Sequence, residues 1–105
     1  MMYVVANRVP VAEGWEEEFE TRFRRRSGQV EHQQGFVSME VMRPKSPDAP
    51  WIVLTRWESE EAFRNWIGSE DFKEAHRNPL PKEAFRGEGR LEQHEVLISA
   101  YREAP

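Results

Sequence analysis

The stretch WIVLTRWESEEAFRNWIG, residues 51–68, joins a strand pattern to a helix pattern and decides the fold. Residues 51–57 alternate along a run rich in aromatic and β-branched side chains, which predicts a strand. Ser59 is a favourable N-cap, and a helix is predicted over 60–67. Its apolar side chains recur at helical spacing and are Phe63, Trp66 and Ile67. The chain is therefore expected to turn from a strand directly into an amphipathic helix that ends at Gly68.

Alternation of side chains, typical of strands, and a three- to four-residue spacing, typical of helices, also predict the elements on either side of this stretch. They are strands over 2–9, 36–43 and 92–101, a helix over 13–26, and a short helix over 70–77 that Ser69 caps. The proline-rich segment Pro44 to Pro50 predicts a turn, so the two central strands form a hairpin. Residues 78–91 contain two Pro and two Gly and are predicted to form a long loop without regular structure, of the kind that is often functional.

The predicted order, β-α-β-β-α-(α)-β, is typical of a ferredoxin-like α+β fold with helices on one face of an antiparallel sheet. The 105 residues show no internal boundary, which indicates a single domain over 1–105. The strands are partly apolar on both faces, and a large exposed apolar sheet face is unusual in a monomer. We therefore expect a homodimer that forms a dimeric α+β barrel.

The composition limits the classes of function. The net charge of −4 argues against nonspecific nucleic-acid binding. The chain has no cysteine, which excludes disulfides, thiolate metal sites, cysteine nucleophiles and cysteine-ligated haem. The N-terminal residues lack the apolar core of a signal peptide, and no apolar run approaches the ~20 residues of a membrane span. These features predict a cytoplasmic protein with no membrane association.

Three residues are candidates for chemistry, and each has a plain structural alternative. His76 lies beside the apolar stripe of the short helix, where a neutral imidazole suits a single-ligand haem site; a helix C-terminal histidine is the alternative. Asn7 interrupts an apolar strand face and is either a satisfied structural amide or a donor aimed into a pocket. Trp66 is either a core aromatic or a bulky wall against a flat ligand.

Together these residues resemble the IsdG-like haem-degrading monooxygenases of the antibiotic biosynthesis monooxygenase superfamily. The resemblance covers about residues 3–77. It is carried by VANRV at 5–9, ETRFRRR at 20–26, Gly35-Phe36, WESEEAFRNW at 57–66 and FKEAH at 72–76. The WESEEAF segment is shared across the superfamily, whereas the combination of Asn7, Trp66 and His76 is more specific.

The resemblance implies a role for each candidate. His76 would ligate haem iron, Asn7 would donate a hydrogen bond to the distal water or dioxygen, and Trp66 would push the porphyrin out of plane. Haem would be both cofactor and substrate, opened with O2 and electrons from an external donor, supplied by an unidentified reductase, with release of iron. Pocket-lining roles fall to Arg22, Phe23 and Arg26, and we predict that the two arginines neutralise haem propionates.

Two other functions are compatible with the same fold. One is a cofactor-independent monooxygenase acting on a polycyclic aromatic substrate, for which His76 need not be a ligand. The other is a non-enzymatic dimer that binds haem. The combination of Asn7, Trp66 and His76 favours the haem-degrading enzyme, while the superfamily motif alone does not separate the three.

Overall fold

The computed structural model describes residues 1–26 and 28–104, and its secondary structure follows the predicted order. The strands are β1 (Tyr3–Val9), β2 (Phe36–Met42), β3 (Trp51–Trp57) and β4 (Arg90–Glu95), and the helices are α1 (Glu16–Arg24), α2 (Glu60–Ile67) and α3 (Glu70–Ala75). Short 3₁₀ turns lie at Gln29–His32 and Lys82–Ala84. Ser59 and Ser69 cap α2 and α3 through their hydroxyl oxygens, as predicted.

The four strands form one antiparallel sheet in the order β2-β3-β1-β4. On the central strand β1, Asn7 lies opposite Val53 of β3 and Leu91 of β4. Residues directly opposite one another share a face, so the register also tells which side chains point towards the helices. The predicted ferredoxin-like α+β fold is confirmed.

Two predicted elements differ from the structure for local reasons. The helix predicted from residue 13 begins at Glu16, because Gly14 has a φ of +90° and Trp15 is not helical. In the second strand, Val37 lies at a register shift between Phe36 and Ser38 and is 44 % exposed. The extra residue of such a bulge takes that side chain out of the alternation.

The largest difference lies at the C-terminal end. The last strand, predicted over 92–101, runs from Arg90 to Glu95 instead. Residues 78–91 are also more ordered than predicted, because the backbone N–H of Ala12 donates to Ala84 (2.7 Å) and that of Arg86 donates to Pro10 (2.8 Å). The segment is therefore hydrogen-bonded to the residues that follow β1 and does not form a free loop.

The helix-side face of the sheet carries two separate clusters of buried side chains. The first contains Tyr3, Val5, Val30, Trp57, Ala62, Phe63 and Trp66. The second contains Val9, Val11, Phe19 and Trp51. On β1 the boundary between the clusters falls between Val5 and Val9, and the residue at that boundary is Asn7. We call this boundary the inter-cluster gap.

None of the helices in the described part of the chain covers the opposite face of the sheet, which is apolar at its centre. Val4, Ile52 and Leu54 are half-buried there, and Ala6 is buried. Charged pairs flank them, Arg8 with Glu92 at 2.7 Å and Arg56 with Glu40 at 3.7 Å. Within the described residues, no helix has both the length and the apolar character needed to cross a membrane.

Candidate functional site

Asn7 is an exposed residue on an otherwise buried strand face. Its neighbours on the same face, Val5 and Val9, are only 3 % and 9 % exposed. The sheet is thus open to solvent at one point of its helix side, and a carboxamide occupies that point. Gly89 comes close to it: a Cβ there would lie 3.8 Å from Asn7 Oδ1 and 3.3 Å from the carbonyl oxygen of Arg8. Gly89, near the end of the ordered 78–91 segment, therefore forms one wall beside Asn7.

His76 is the C-cap of α3, and its imidazole is exposed. Its Nδ1 lies 2.8 Å from the carbonyl oxygen of Phe72. A carbonyl only accepts hydrogen bonds, so Nδ1 is the donor, and in the neutral imidazole the lone pair is then on Nε2. The imidazole is thus fixed in the tautomer that can ligate a metal through Nε2, in the way that backbone partners commonly orient metal-binding histidines.

His76 lies at the boundary of the same two clusters. Phe72, four residues earlier, packs against the first cluster, whereas Leu80, four residues later, packs against the second. The chain therefore passes from one cluster to the other just after His76. Asn7 occupies the corresponding boundary on the sheet. Asn7 thus lies between the two clusters on the sheet, and His76 lies between them along the chain.

Trp66 is buried in the first cluster, with 8 % of its surface exposed. Its ring meets that of Phe72 edge to face, with centroids 5.4 Å apart and an interplanar angle of 87°. Phe72 in turn stacks on His76. His76, the predicted haem ligand, and Trp66, predicted to press on the porphyrin, are therefore connected through the ring of Phe72.

Arg22 and Arg26, the two predicted propionate ligands, have partners within the chain. Arg22 donates a hydrogen bond to the carbonyl oxygen of Asn78, and Arg26 pairs with Glu31 at 2.6 Å. The Arg26 hydrogen bond holds the pKa of the Glu31 carboxyl below its ordinary value. The Nε atom of Arg26 is buried and has no hydrogen-bond partner among the described residues.

A cavity of about 330 Å³ lies between α1 and β2. Its lining includes Phe23 and Arg26, together with Met39 and Val41, which pack against different clusters. This cavity thus lies where the two clusters meet on β2. Its lining includes neither Asn7 nor His76.

Three parts of this arrangement escape sequence analysis. Glu31 is five residues from its partner Arg26 and follows the end of α1, so no helical spacing announces the pair. The Asn78 contact uses a backbone carbonyl, which carries no sequence signal. The position of Gly89 beside Asn7 follows only from the register of β1 with β4.

Residues 2–78 match the family model described as antibiotic biosynthesis monooxygenase. The chain belongs to the antibiotic biosynthesis monooxygenase family. Within the family, it is 37 % identical over 79 residues to a haem oxygenase (staphylobilin-producing) of Staphylococcus epidermidis, covering 73 % of this chain and 75 % of that protein. The family resemblance found in the sequence is therefore confirmed.

Solved structures with the same fold also match this chain. The structure of the haem degrader MhuD from Mycobacterium tuberculosis, with two haems in its active site, matches with a TM-score of 0.77 and 31 % identity over 93 % of this chain and 98 % of that one. The cofactor-independent oxygenase SnoaB from Streptomyces nogalater matches with a TM-score of 0.71 and 22 % identity over 93 % and 95 % of the two chains. At that identity, the second match reports the fold alone.

Proposed function

We propose that this chain is a haem-degrading monooxygenase in which His76 ligates the iron through Nε2. The observation that carries the proposal is the hydrogen bond from Nδ1 to the Phe72 carbonyl, which in the neutral imidazole leaves the Nε2 lone pair available on an exposed ring. The similarity to a haem oxygenase and to a haem degrader supports the same reaction.

The residues at the gap suit a porphyrin chemically. The bound haem would supply the iron at which O2 is activated with electrons from an external donor. Asn7 would provide an amide donor on the sheet side of the gap, which stabilises negative charge without supplying an acidic proton. Trp66, held in the first cluster, would press on the macrocycle, and distortion of the macrocycle is one means by which a protein tunes haem.

The side chains of Arg22 and Arg26 would bind the propionates. Arg26 lines the cavity beside Phe23, and Arg22 has one hydrogen bond, to a backbone carbonyl. Arginine binds carboxylates with a planar fork of donors, which suits a propionate group. Phe23, between these two arginines in sequence and half-buried against the second cluster, would contact the apolar part of the ligand.

We further propose a homodimer in the cytoplasm, supplied with electrons by a reductase. The apolar centre of the uncovered sheet face supports the dimer, since residues such as Leu54 would be buried against a second copy. Exposed apolar residues after β4 provide further surface for such contacts, namely Leu97, Ile98 and Tyr101. The need for external electrons agrees with the cytoplasmic location expected from the sequence.

The proposal is tested by titrating haemin into the purified protein and then adding ascorbate in air with catalase present. We expect a saturable Soret band that disappears after the reductant is added. A band that persists would indicate a haem-binding dimer without the enzyme activity. The absence of saturable binding would exclude haem and leave the cofactor-independent oxygenase.

Two histidine variants identify the ligand. His76→Ala is expected to lose the wild-type Soret spectrum and to recover a ligated spectrum when imidazole is added. His94→Ala is the matched control, because His94 is also exposed but lies on the other face of the sheet, opposite Val4. An unchanged spectrum in His76→Ala would show that another group holds the iron.

A further inference from the structure

Phe72 is a half-buried residue of α3 that contacts both His76 and Trp66. Its ring packs on the imidazole in a tilted arrangement, with centroids 4.1 Å apart and an interplanar angle of 31°. The edge-to-face contact with Trp66 joins centroids 5.4 Å apart. Its carbonyl oxygen accepts from His76 twice, from Nδ1 at 2.8 Å and from the backbone N–H at 3.1 Å.

These contacts restrict different motions of the imidazole. The hydrogen bond fixes the position of Nδ1, but a single hydrogen bond still lets the ring rotate about that point. The Phe72 ring restricts this rotation, because at a centroid distance of 4.1 Å the imidazole cannot turn far without colliding with it. With both contacts in place, the direction of the Nε2 lone pair is set.

The edge-to-face contact gives Phe72 a second effect. The Trp66 indole is buried and cannot shift far, so the ring that it contacts is held in turn. Phe72 therefore fixes the imidazole relative to the indole, and not merely relative to its own helix. The angle between the His76 imidazole and the Trp66 indole is therefore set by the packing of both rings on Phe72.

We propose that Phe72 is a positioning residue that sets the imidazole plane of His76 relative to Trp66. This inference rests on the proposed function, in which His76 ligates haem and Trp66 presses on it. The position of the ligand and the distortion of the macrocycle would then be set together by one side chain. Small changes in the Phe72 ring would alter the electronic structure of haem without removing any group that touches it chemically.

Two contacts that hold α3 do not use the Phe72 ring. The N-terminal cap uses the backbone N–H of Phe72, which donates to Ser69 Oγ at 3.1 Å. Gln33 Nε2 also donates to Asp71 Oδ2 at 2.9 Å, which ties α3 to the turn after α1. Replacement of the ring therefore leaves α3 capped and anchored, so its effect on His76 can be measured separately from folding.

The test compares Phe72→Leu, which removes the ring, with Phe72→Tyr, which keeps it. Phe36→Leu is the matched control, because Phe36 packs against the same cluster and meets Trp57 edge to face at 5.3 Å, away from His76. The first measurement is ¹⁵N NMR of His76 in the protein without haem. We expect one dominant Nδ1–H tautomer in all four proteins, because the backbone carbonyl of residue 72 remains as the acceptor, so that any change in the second measurement reports the imidazole plane.

The second measurement is electron paramagnetic resonance of the ferric haem complexes. We expect shifted g-values in Phe72→Leu, values near wild type in Phe72→Tyr, and no shift in Phe36→Leu. A Phe72→Leu protein that binds haemin and matches wild type in both measurements would overturn the positioning role alone. Failure of the wild-type protein to bind haemin would overturn the proposed function and this inference with it.

Discussion

The guanidinium of Arg22 donates a hydrogen bond to the carbonyl oxygen of Asn78, which ties α1 to the segment that follows α3. This contact lies two residues after His76, so an arginine of α1 comes close to the proposed iron ligand. The pairing is on the surface, and both residues are exposed. An anionic ligand group near α1 can therefore replace the neutral carbonyl as the partner of Arg22.

The first prediction follows from this exchange of partners. Arg22→Ala should weaken haemin binding about fivefold, because an exposed charge pair contributes about 1 kcal/mol. The measurement is a Soret titration at low and high salt, where the variant should show the smaller salt dependence. Arg24→Ala is the control, since Arg24 pairs with Glu20 at 2.8 Å in an exposed pair on α1. Equal effects in the two variants would contradict a specific role for Arg22.

Asn7→Ala should retain haemin binding and lose turnover. Removal of a single positioned amide donor commonly lowers kcat by roughly 100-fold. Asn7 is exposed, so its free energy of unfolding should change by less than about 0.5 kcal/mol. Single-turnover loss of the Soret band measures the rate, with Asn65→Ala, an exposed position on α2, as control. Full activity in Asn7→Ala would remove this side chain from the mechanism.

The Glu31–Arg26 pair predicts a pH dependence of stability. The hydrogen bond from Arg26 lowers the pKa of Glu31 below its ordinary value of 4.5. Between the folded and unfolded pKa values, the unfolded chain binds more protons, so acid favours unfolding. The contribution of the pair is therefore fully present above the unfolded pKa and is lost as the pH falls through the folded pKa.

Urea titrations between pH 7 and pH 3 measure this effect. Glu31→Gln should be less stable than wild type at pH 7, and the difference should shrink towards pH 3. Glu70→Gln serves for comparison, because Glu70 is exposed and its contact with Lys73 is longer, at 3.4 Å. A difference between Glu31→Gln and wild type that stays constant with pH would argue against the pair as its source.

The sequence pattern predicts most of the fold because local chemistry dominates there. The bounds of β3 and α2 are as predicted, since an alternating run and the Ser59 cap are both local signals. The register shift at Val37 and the early end of β4 at Glu95 depend on the partner strand, which a single-sequence pattern does not contain.

In the candidate site, too, some features are predictable from the sequence and others depend on the fold. Asn7 is identifiable from sequence, because a carboxamide on an apolar strand face violates the alternation. The division of the core into two clusters is what exposes it, and that division depends on how α1 and α2 pack on the sheet. The hydrogen bond from His76 to Phe72 uses a backbone acceptor that every residue possesses, so sequence predicts the imidazole but not its tautomer.

The proposed dimer predicts the effect of a charge on the uncovered sheet face. Leu54→Asp should dissociate the dimer, because a carboxylate would be buried among Val4, Ala6 and Ile52 in the contact. Light scattering should give a mass near twice 12.4 kDa for wild type and near 12.4 kDa for the variant. Ile67→Asp is the control, since Ile67 on α2 is 42 % exposed on the helix side. A monomeric wild-type protein would contradict the dimer.

At Gly35, the addition of a single methyl group is expected to destabilise the fold. Its φ is +81°, and a Cβ there would lie 2.5 Å from the Cβ of Ala62, inside the contact distance of two carbon atoms. Its carbonyl also accepts from Glu58 at 2.8 Å, which joins the start of β2 to the end of β3. Gly35→Ala therefore combines backbone strain with a clash against α2 and should lower the free energy of unfolding by about 2–4 kcal/mol.

Gly14→Ala separates the two causes. Gly14 has a φ of +90°, but a methyl group added there would meet no heavy atom within 4 Å, so only the backbone strain applies. We expect a loss of about 1–2 kcal/mol in that variant, measured by urea unfolding under the same conditions. The double variant Gly35→Ala with Ala62→Gly should recover the part due to the clash, since it removes the opposing Cβ. If Gly35→Ala and Gly14→Ala lose equal stability, close packing of the β2 start against α2 is not what requires glycine at residue 35.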